Sequence, residues 1–377
     1  MRKKSGLQLQ LMDFKEREFN KIFLTLNKER FIEILSEFNT IQDLKVLRYK
    51  IFKLRDTIIS SNNSYEESRD ILQRDMISFR KDILISELNQ ILEARTIERA
   101  RYYIKRLEKG TREVKTGKIN DINLFRWKEY DEIITDSLWV MDKRDTSGSH
   151  LSWYWGNFIP QIPRQMMMRY TKKGDWVLDA FMGSGTTLIE CRRLGRNGIG
   201  LELNPEVVEK ARELIEEEEN KFNTVSEVIT GDNRILNINA LLEKHCRKSV
   251  HLLIMHPPYH DIIKFSDDER DISNAKNTED FLKMFGESLD NVTPYLEKGR
   301  YFILVIGDKY SAGEWIPLGF YCMNEVVKRG YSLKSTVVKN FDETRAKRRQ
   351  KDLWRYRALS GGFYIFKHEY IMIFVKK

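Results

Sequence analysis

The spacing of apolar residues divides the chain into two parts with different predicted secondary structure. Up to about residue 110, apolar residues recur every three or four positions, as in the stretch from Phe19 to Leu26, and this period is typical of amphipathic helices. All seven prolines lie at or after Pro160, so the first part almost lacks helix breakers. We predict a helical hairpin or small bundle over residues 10–110, whose third helix, bent or interrupted along its length, runs from Tyr65 to near Lys109.

The second part alternates short apolar runs with helical stretches. A strand ending at Asp179 is followed by a helix from Thr186 to Leu194 and by a second strand, Ile199 to Leu203. Alternation of strands and helices predicts an α/β fold with a mainly parallel sheet. We therefore predict a helical N-terminal region over 1–120, a connector over 121–147 and an α/β domain over 148–377.

A glycine turn joins the first strand to the first helix of this domain. Gly183, Ser184 and Gly185 follow the strand, and Glu202 ends the next strand. Glycines let a ligand approach the backbone, and the acid can accept from a pair of ribose hydroxyls. Thr186 occupies the place of the lysine of a phosphate-binding loop, and the third glycine of a dinucleotide site is missing. The turn therefore favours a nucleoside ligand without a phosphate group, such as S-adenosylmethionine.

Two neighbouring stretches extend the predicted pocket. Asp232 follows the third strand, where it is either an acceptor for the adenine amino group of the ligand or an ordinary turn residue. The aromatic-rich stretch over residues 147–174 comes directly before the first strand. It starts as a loop, becomes a helix from Pro163 and is predicted to fold over the same pocket. The alternative for Trp153 and Trp155 is an aromatic patch that packs against the helical part.

A second polar loop follows the strand from Leu252 to Met255. It reads His256-Pro257-Pro258-Tyr259 and is predicted to lie at the carboxyl edge of the sheet, where open α/β sheets bind ligands. The prolines have no backbone N–H, so the loop presents carbonyl acceptors, and the Tyr259 ring offers a face for stacking. Such a loop suits an aromatic exocyclic amine, whose N–H groups it can hold while the nitrogen attacks a methyl group.

Composition and charge narrow the class of protein. The chain has 377 residues, 32% charged and 41% hydrophobic, with a formal net charge of +9, which favours a globular protein with a polyanionic partner such as nucleic acid. Its three cysteines are far apart, so neither a disulfide set nor a metal site is predicted. We see no signal peptide and no membrane-spanning run. These features predict a cytoplasmic protein that binds no membrane.

Two basic stretches are candidates for phosphate contacts. The first is the end of the helical region, from Arg95 to Lys118, where acidic residues partly neutralise the charge. The second lies between the last two predicted strands and interleaves cations with aromatic rings. It consists of Arg345, Lys347, Arg348, Arg349, Lys351, Trp354 and Arg355. A solvated charged surface is the alternative for both stretches.

Three motifs together resemble those of the amino-methylating DNA methyltransferases, which modify adenine N6 or cytosine N4. The motifs are VLDAFMGSGTT, GLELNP and HPPY, and the ending KHEYIMIFVKK is similar to the last strand of that family. The resemblance covers residues 148–377 and not the helical part. It implies a Rossmann-like, seven-stranded methyltransferase domain behind an α-helical N-terminal extension, with S-adenosylmethionine as cofactor and double-stranded DNA as partner.

The resemblance also implies roles for individual residues. Tyr259 would stack on a flipped-out base, with His256, Pro257 and Pro258 forming the rest of the catalytic loop. Glu202 would bind the ribose of the cofactor and Asp232 its adenine. The other implied cofactor-binding residues are Asp179, Phe181, Gly183, Ser184, Gly185, Thr186 and Asn204.

One departure from the family leaves the substrate open. The family usually has Asp, Asn or Ser where this chain has His256, which blurs the distinction between the two bases; adenine N6 is slightly favoured. The alternatives are RNA guanine-N2 methylation, protein glutamine methylation, and a nucleic-acid-binding relative without activity. The segment between Glu202 and Met255 is too short for a recognition domain. A cognate restriction endonuclease is conceivable as partner, and the oligomeric state is open.

Overall fold

A computed structural model describes residues 23–61, 75–311, 313–340 and 351–377. The chain forms two compact units, one of residues 1–117 with 122–131 and the other of residues 118–121 with 132–377. Within the described ranges, no helix is both long and apolar enough to cross a membrane.

In its described residues, the first unit packs four α-helices with a small antiparallel ribbon. Strands β1 and β2 pair along their full length, from Phe23 opposite Arg80 to Asn27 opposite Met76. The elements of this unit are β1 (Phe23–Asn27), α1 (Lys28–Thr40), α2 (Leu44–Ser60), β2 (Met76–Arg80), α3 (Lys81–Leu92), α4 (Ile97–Arg112) and a 3-10 helix (Leu124–Glu129).

The helical prediction for this part is wrong at the strands β1 and β2, and its third helix is interrupted. Phe23 is exposed while Leu24 is buried, and this alternation belongs to a strand; the Asn27 side chain then caps α1. The predicted third helix is at least two helices, because Thr96 caps a new helix by accepting from the Arg99 amide at 3.2 Å. The start of that prediction, from Tyr65 to residue 74, lies outside the described residues.

The second unit contains an eight-stranded sheet between helices. The strands are β3 (Leu138–Trp139), β4 (Trp176–Asp179), β5 (Asn197–Glu202), β6 (Ser226–Thr230), β7 (Val250–Met255), β8 (Leu296–Ile306), β11 (Tyr331–Asn340) and β12 (His368–Lys376), and a separate hairpin pairs β9 (Lys309–Ser311) with β10 (Glu314–Ile316). The helices are α5 (Gln161–Tyr170), α6 (Thr186–Leu194), α7 (Pro205–Glu217), α8 (Ile238–Lys244), α9 (Thr278–Val292), α10 (Leu318–Lys328) and α11 (Lys351–Gly361), with 3-10 turns at His260–Ile262, Ile272–Asn274 and Thr293–Tyr295.

The strand order is β3-β11-β12-β8-β7-β4-β5-β6. All neighbouring pairs are parallel except those that β12 makes with β8 and β11. The Rossmann-like prediction is confirmed; the sheet has the seven predicted strands and, at one edge, the two-residue β3.

The direction of β12 matters for the site. Parallel strands end at one edge of the sheet, and an antiparallel strand begins there. The first residues of β12 therefore lie beside the last residues of β11, and Glu369 pairs in register with Lys339. Both charged residues reach the edge where ligands bind in α/β folds.

Candidate active site at the carboxyl edge of the sheet

A cavity of about 900 Å³ opens at the carboxyl edge of the sheet in the second unit. This volume is in the upper range for small-molecule sites. The structure brings both predicted motifs to this one cavity. The predicted site residues that line it are Phe181, Gly183, Ser184, Glu202, Asp232, His256, Pro257, Pro258 and Tyr259.

On the glycine-turn side, Glu202 ties two loops together. Its carboxylate accepts from the Gly183 amide and from the Asn204 amide, each at 2.9 Å. Burial raises the pKa of Glu202. Gly183 has a φ of +53°, and a side chain there would meet the Tyr154 ring at 2.9 Å. The turn therefore needs glycine at position 183, and it holds an acidic acceptor against the cavity.

Four predicted cofactor-binding residues, Asp179, Gly185, Thr186 and Asn204, lie behind the lining. Asp179 accepts from the Thr187 hydroxyl at 2.5 Å and from the Phe181 amide at 3.1 Å, and burial raises its pKa to about 6.

Gly185 has a φ of +81°, and a Cβ there would lie 2.8 Å from Ile215. Thr186 donates to Asn157, and Asn204 caps α7. These four residues shape the turn, and their direct contact with a ligand stays a prediction.

Asp232 reaches the cavity with its carboxylate already held by a neighbour. Arg234 donates to it through Nε and Nη2, the latter at 2.7 Å, and also approaches Glu287 at 3.3 Å. The predicted contact of Asp232 with an adenine amino group would therefore be made by a carboxylate that Arg234 orients. Arg234 lies two residues after Asp232 in the same turn. Its role could not be predicted, because nothing in the sequence distinguishes it from an arginine exposed to solvent.

The aromatic loop before β4 contributes a third wall. Tyr154, Trp155, Asn157 and Phe158 line the cavity, while Trp153 packs beneath Lys210, whose Nζ lies 4.7 Å from the ring centroid. Asn157 donates to the Ser184 hydroxyl at 2.5 Å, so this loop is hydrogen-bonded to the glycine turn.

Arg144 is a cation that the sequence did not single out. Its Nη1 donates to the carbonyl of Phe158 at 2.8 Å. Its Nε and Nη2 are buried and have no hydrogen-bond partner within the described part of the chain, although the residue lines the cavity. Burial lowers its pKa. Unpaired guanidinium N–H groups suit a carboxylate.

These groups fit S-adenosylmethionine, which the fold leads one to expect. Its ribose diol matches the carboxylate of Glu202, its adenine amino group matches Asp232, and its α-carboxylate matches the unpartnered nitrogens of Arg144. Among the described residues, no group of three or more His, Cys, Asp or Glu side chains could hold a metal ion.

On the opposite side, the predicted catalytic loop is held by a chain of hydrogen bonds. His256 Nε2 lies 3.2 Å from the Tyr259 hydroxyl, which donates to Glu369 at 2.8 Å. Lys339 donates to the other oxygen of Glu369 at 2.9 Å. The Phe158 ring packs on the imidazole, with 4.9 Å between centroids. Sequence reasoning missed Glu369 and Lys339.

The imidazole of His256 is neutral over the physiological range. Burial lowers its pKa to about 4; the carboxylate of Glu369 opposes this shift and the ammonium of Lys339 adds to it. The side chain of Asp261, which follows the loop, pairs with Lys309, and the carboxylate that interacts with His256 is that of Glu369.

Two local constraints fix the rest of the loop. His260 has a φ of +54°, which is uncommon outside glycine, and is locked by Ala275 O at 2.9 Å and Lys309 Nζ at 3.0 Å. The Tyr259 ring lies against the backbone of Gly307, where a Cβ would come within 2.9 Å of it. The loop conformation is therefore determined by packing as well as by its prolines.

Asp308, two residues after β8, also lines the cavity. It accepts from the Gly319 amide at 2.9 Å, the Tyr370 hydroxyl at 3.0 Å and Trp315 Nε1 at 3.3 Å. Its carboxylate thus connects β12 to the β9–β10 hairpin and to α10.

The two predicted basic stretches differ in whether their arginines contact other groups of the protein or are exposed. In α4, Arg101 donates to Ile41 O at 2.8 Å, Arg106 pairs with Glu87 and Arg112 with Glu108. In α11, Arg355 and Arg357 are exposed. Trp354 is half-buried, with the Arg357 guanidinium 5.3 Å from its ring.

The other predicted nucleic-acid contacts are not assigned a position. Arg345, Lys347, Arg348 and Arg349 lie outside the described residues, as does the side chain of Lys351.

Parts of the chain are similar to known methyltransferases. The chain is 33% identical over 107 residues to the Type II methyltransferase M.MjaII of Methanocaldococcus jannaschii, covering 25% of this chain and 20% of that protein. It is 41% identical over 93 residues to the Type II methyltransferase M.HpaI of Haemophilus parainfluenzae, covering 22% and 30%. The chain thus spans less than a third of the length of these relatives.

Among solved structures, the crystal structure of TrmN from Thermus thermophilus aligns with a TM-score of 0.38 and 14% identity, over 58% of this chain and 49% of that one. A family model described as DNA methylase matches residues 4–213, a range that includes the helical part and ends before His256. Because the matched residues make up more than half of this chain, the chain belongs to the DNA methylase family.

Proposed function

We propose that this protein transfers a methyl group from S-adenosylmethionine to an exocyclic amine of a base in double-stranded DNA. The observation that carries the proposal is that one cavity joins the Glu202 turn to the loop from His256 to Tyr259. A nucleoside-sized cofactor and a flipped base can then meet at one edge of the sheet. Adenine N6 is slightly favoured over cytosine N4.

Different residues of the cavity bind the cofactor and the target base. Glu202 holds the ribose of the cofactor, Asp232 its adenine and Arg144 its α-carboxylate, and the cofactor supplies the methyl group. A base turned out of the helix stacks on Tyr259, and its amine donates to His256 and to the Pro257 carbonyl. These contacts direct the nitrogen lone pair away from the acceptors. Holding both reactants in this geometry supplies much of the rate through proximity and orientation.

Duplex DNA would be held from outside the cavity by exposed cations. Arg355 and Arg357 on α11 are the described candidates, together with the basic residues from Arg345 to Lys351 that precede them in sequence. They would contact phosphates, which position the duplex without reading its sequence. A cognate restriction endonuclease is a further proposal, to be tested by co-purification and by cleavage assays on methylated and unmethylated DNA.

The test is methylation of unmodified duplex DNA with cofactor labelled in its methyl group, followed by digestion and mass identification of the methylated nucleoside. N6-methyladenine is the expected product, and N4-methylcytosine would reassign the base. RNA and protein fractions serve as competing substrates. Labelling of RNA guanine or protein glutamine but not DNA would contradict the proposal, as would binding of DNA and cofactor without transfer.

A further inference from the structure

Glu369 is a buried carboxylate that lines the cavity and is hydrogen-bonded through both of its oxygens. It is 6% exposed, it faces the cavity, and each of its oxygens takes one donor: Lys339 Nζ on Oε1 and the Tyr259 hydroxyl on Oε2. Although burial opposes ionisation, the Lys339 ammonium helps to keep the pKa of Glu369 below its usual value. A lasting carboxylate at this place can only accept hydrogen bonds.

The direction of each hydrogen bond in the chain follows from that charge. Because the carboxylate accepts, Tyr259 uses its single proton as the donor to Glu369. The Tyr259 oxygen can then only accept from His256, at 3.2 Å from Nε2. A neutral imidazole carries one proton, and that proton is required on Nε2. Nδ1 is then the ring atom left with a lone pair.

We propose that Glu369, acting through Tyr259, is a positioning residue that keeps the His256 proton on Nε2 and so makes Nδ1 the acceptor for the target amine. The inference rests on the proposed function, because it takes from it that His256 meets the amine. The groups that face the imidazole are Tyr259 from its own loop, Lys339 from β11, Glu369 from β12 and the Phe158 ring.

A pair of substitutions tests which ring nitrogen acts as acceptor. The amide oxygen of Asn can occupy the place of Nδ1, whereas that of Gln reaches the place of Nε2. His256→Asn should therefore keep single-turnover methylation within about tenfold of the wild type, and His256→Gln should lose about a hundredfold. Cofactor affinity should be unchanged in both. Retained activity in the Gln variant and not in the Asn variant would overturn the inference.

The tautomer itself is measured without any methylation. The full-length protein is labelled with ¹⁵N-histidine, and the His256 signal, one of six, is identified by its loss in His256→Asn. The expected spectrum shows a protonated Nε2 and an unprotonated Nδ1. A protonated Nδ1 in the wild type would overturn the inference even if DNA is methylated. Conversely, absence of methylation would defeat the proposed function and leave this measurement valid.

Three further variants separate positioning from simple structural support. Tyr259→Phe keeps the ring but removes the oxygen, so an Nδ1-protonated form should appear and the rate should fall about fivefold. Glu369→Gln removes the charge; because Lys339 holds one acceptor of residue 369, the amide oxygen stays with Lys339 and the NH2 group faces Tyr259, so the chain of hydrogen bonds should reverse and an Nδ1-protonated form should appear. Glu369→Leu with Lys339→Met removes both buried charges together and should behave like Tyr259→Phe.

The matched control is Tyr331→Phe, which removes another buried hydroxyl, one that donates to Thr293 O at 2.7 Å. It should change neither the tautomer nor the rate. If Tyr259→Phe leaves both unchanged as well, the inference is wrong. Tyr259→Phe therefore tests whether Tyr259 sets the tautomer of His256, even if the double variant does not fold.

Discussion

The two sides of the cavity are built in different ways. On the proposed cofactor side, the Glu202 carboxylate accepts from the amides of Gly183 and Asn204, so this part of the site is made from neighbouring turns of one strand–helix–strand unit. On the target side, His256 depends on Lys339 and Glu369, which come from two strands far along the chain. The Glu202 side is formed by contacts between residues close in sequence, whereas the His256 side is formed by contacts that depend on the pairing of distant strands.

This difference predicts that the two sides can be damaged separately. His256→Ala should slow the single-turnover chemical step by about a hundredfold or more, because an acceptor for the amine is lost in the transition state. Cofactor affinity measured by calorimetry should stay within twofold. Methylation at the wild-type rate would reduce His256 to a strand-end residue and leave catalysis to the Pro257 carbonyl and Tyr259.

The reciprocal change is Glu202→Gln. It keeps the size of the side chain but removes the charge that would accept from the ribose hydroxyls, which should weaken cofactor binding about tenfold to a hundredfold. At saturating cofactor, the single-turnover rate should return close to that of the wild type. A lower rate at saturation together with unchanged affinity would place Glu202 on the target side and erase the distinction.

Gly185 is a less suitable probe of the cofactor side, although its place in the turn made it an obvious choice. Its φ of +81° and its 2.8 Å approach to Ile215 show that Gly185→Leu would disturb the packing of α6 on α7. Loss of cofactor binding in that variant would follow from damage to the fold.

The pH dependence sharpens the description of the target side. Since the pKa of His256 is lowered to about 4, the neutral acceptor is fully present above that value and is lost as pH falls through it. The single-turnover rate should be flat from about pH 8 to 5, without the inflection near 6.5 of an unperturbed imidazole. Circular dichroism at each pH controls for unfolding, and His256→Asn should lack the fall near pH 4.

The smallest effect is expected outside the cavity. Arg355→Ala with Arg357→Ala should weaken duplex binding a few-fold and lower the slope of log affinity against log salt by up to about 2, since each phosphate contact contributes about 0.9. Arg95→Ala with Lys105→Ala removes equal charge from exposed positions of the first unit. If only this second pair lowers the slope, DNA is bound there and not at α11.

The features that could be predicted from the sequence are those formed by residues close together along the chain. The seven longer strands of the main sheet, the glycine turn and the loop from His256 all follow from short-range signals. The ribbon of β1 and β2 was missed because its two strands have five residues each and directly precede helices, so their apolar residues merge into the helical pattern.

The partners of His256 were missed for a different reason. Glu369 opens an apolar strand, and its contact with Lys339 is set by the register of β12 on β11, which no local pattern specifies. The one available signal was a charged residue at the start of a strand that is otherwise nearly continuous in apolar residues.

The antiparallel course of β12 has a consequence for the order in which the protein matures. As the chain leaves the ribosome, the segment from Asp179 to Asp232 can fold the cofactor side first, from contacts close in sequence. The target side must wait until β12 inserts between β8 and β11, and such long-range pairings form slowly. A nascent chain can thus form the Glu202 side of the cavity before the arrangement that holds His256 in place exists.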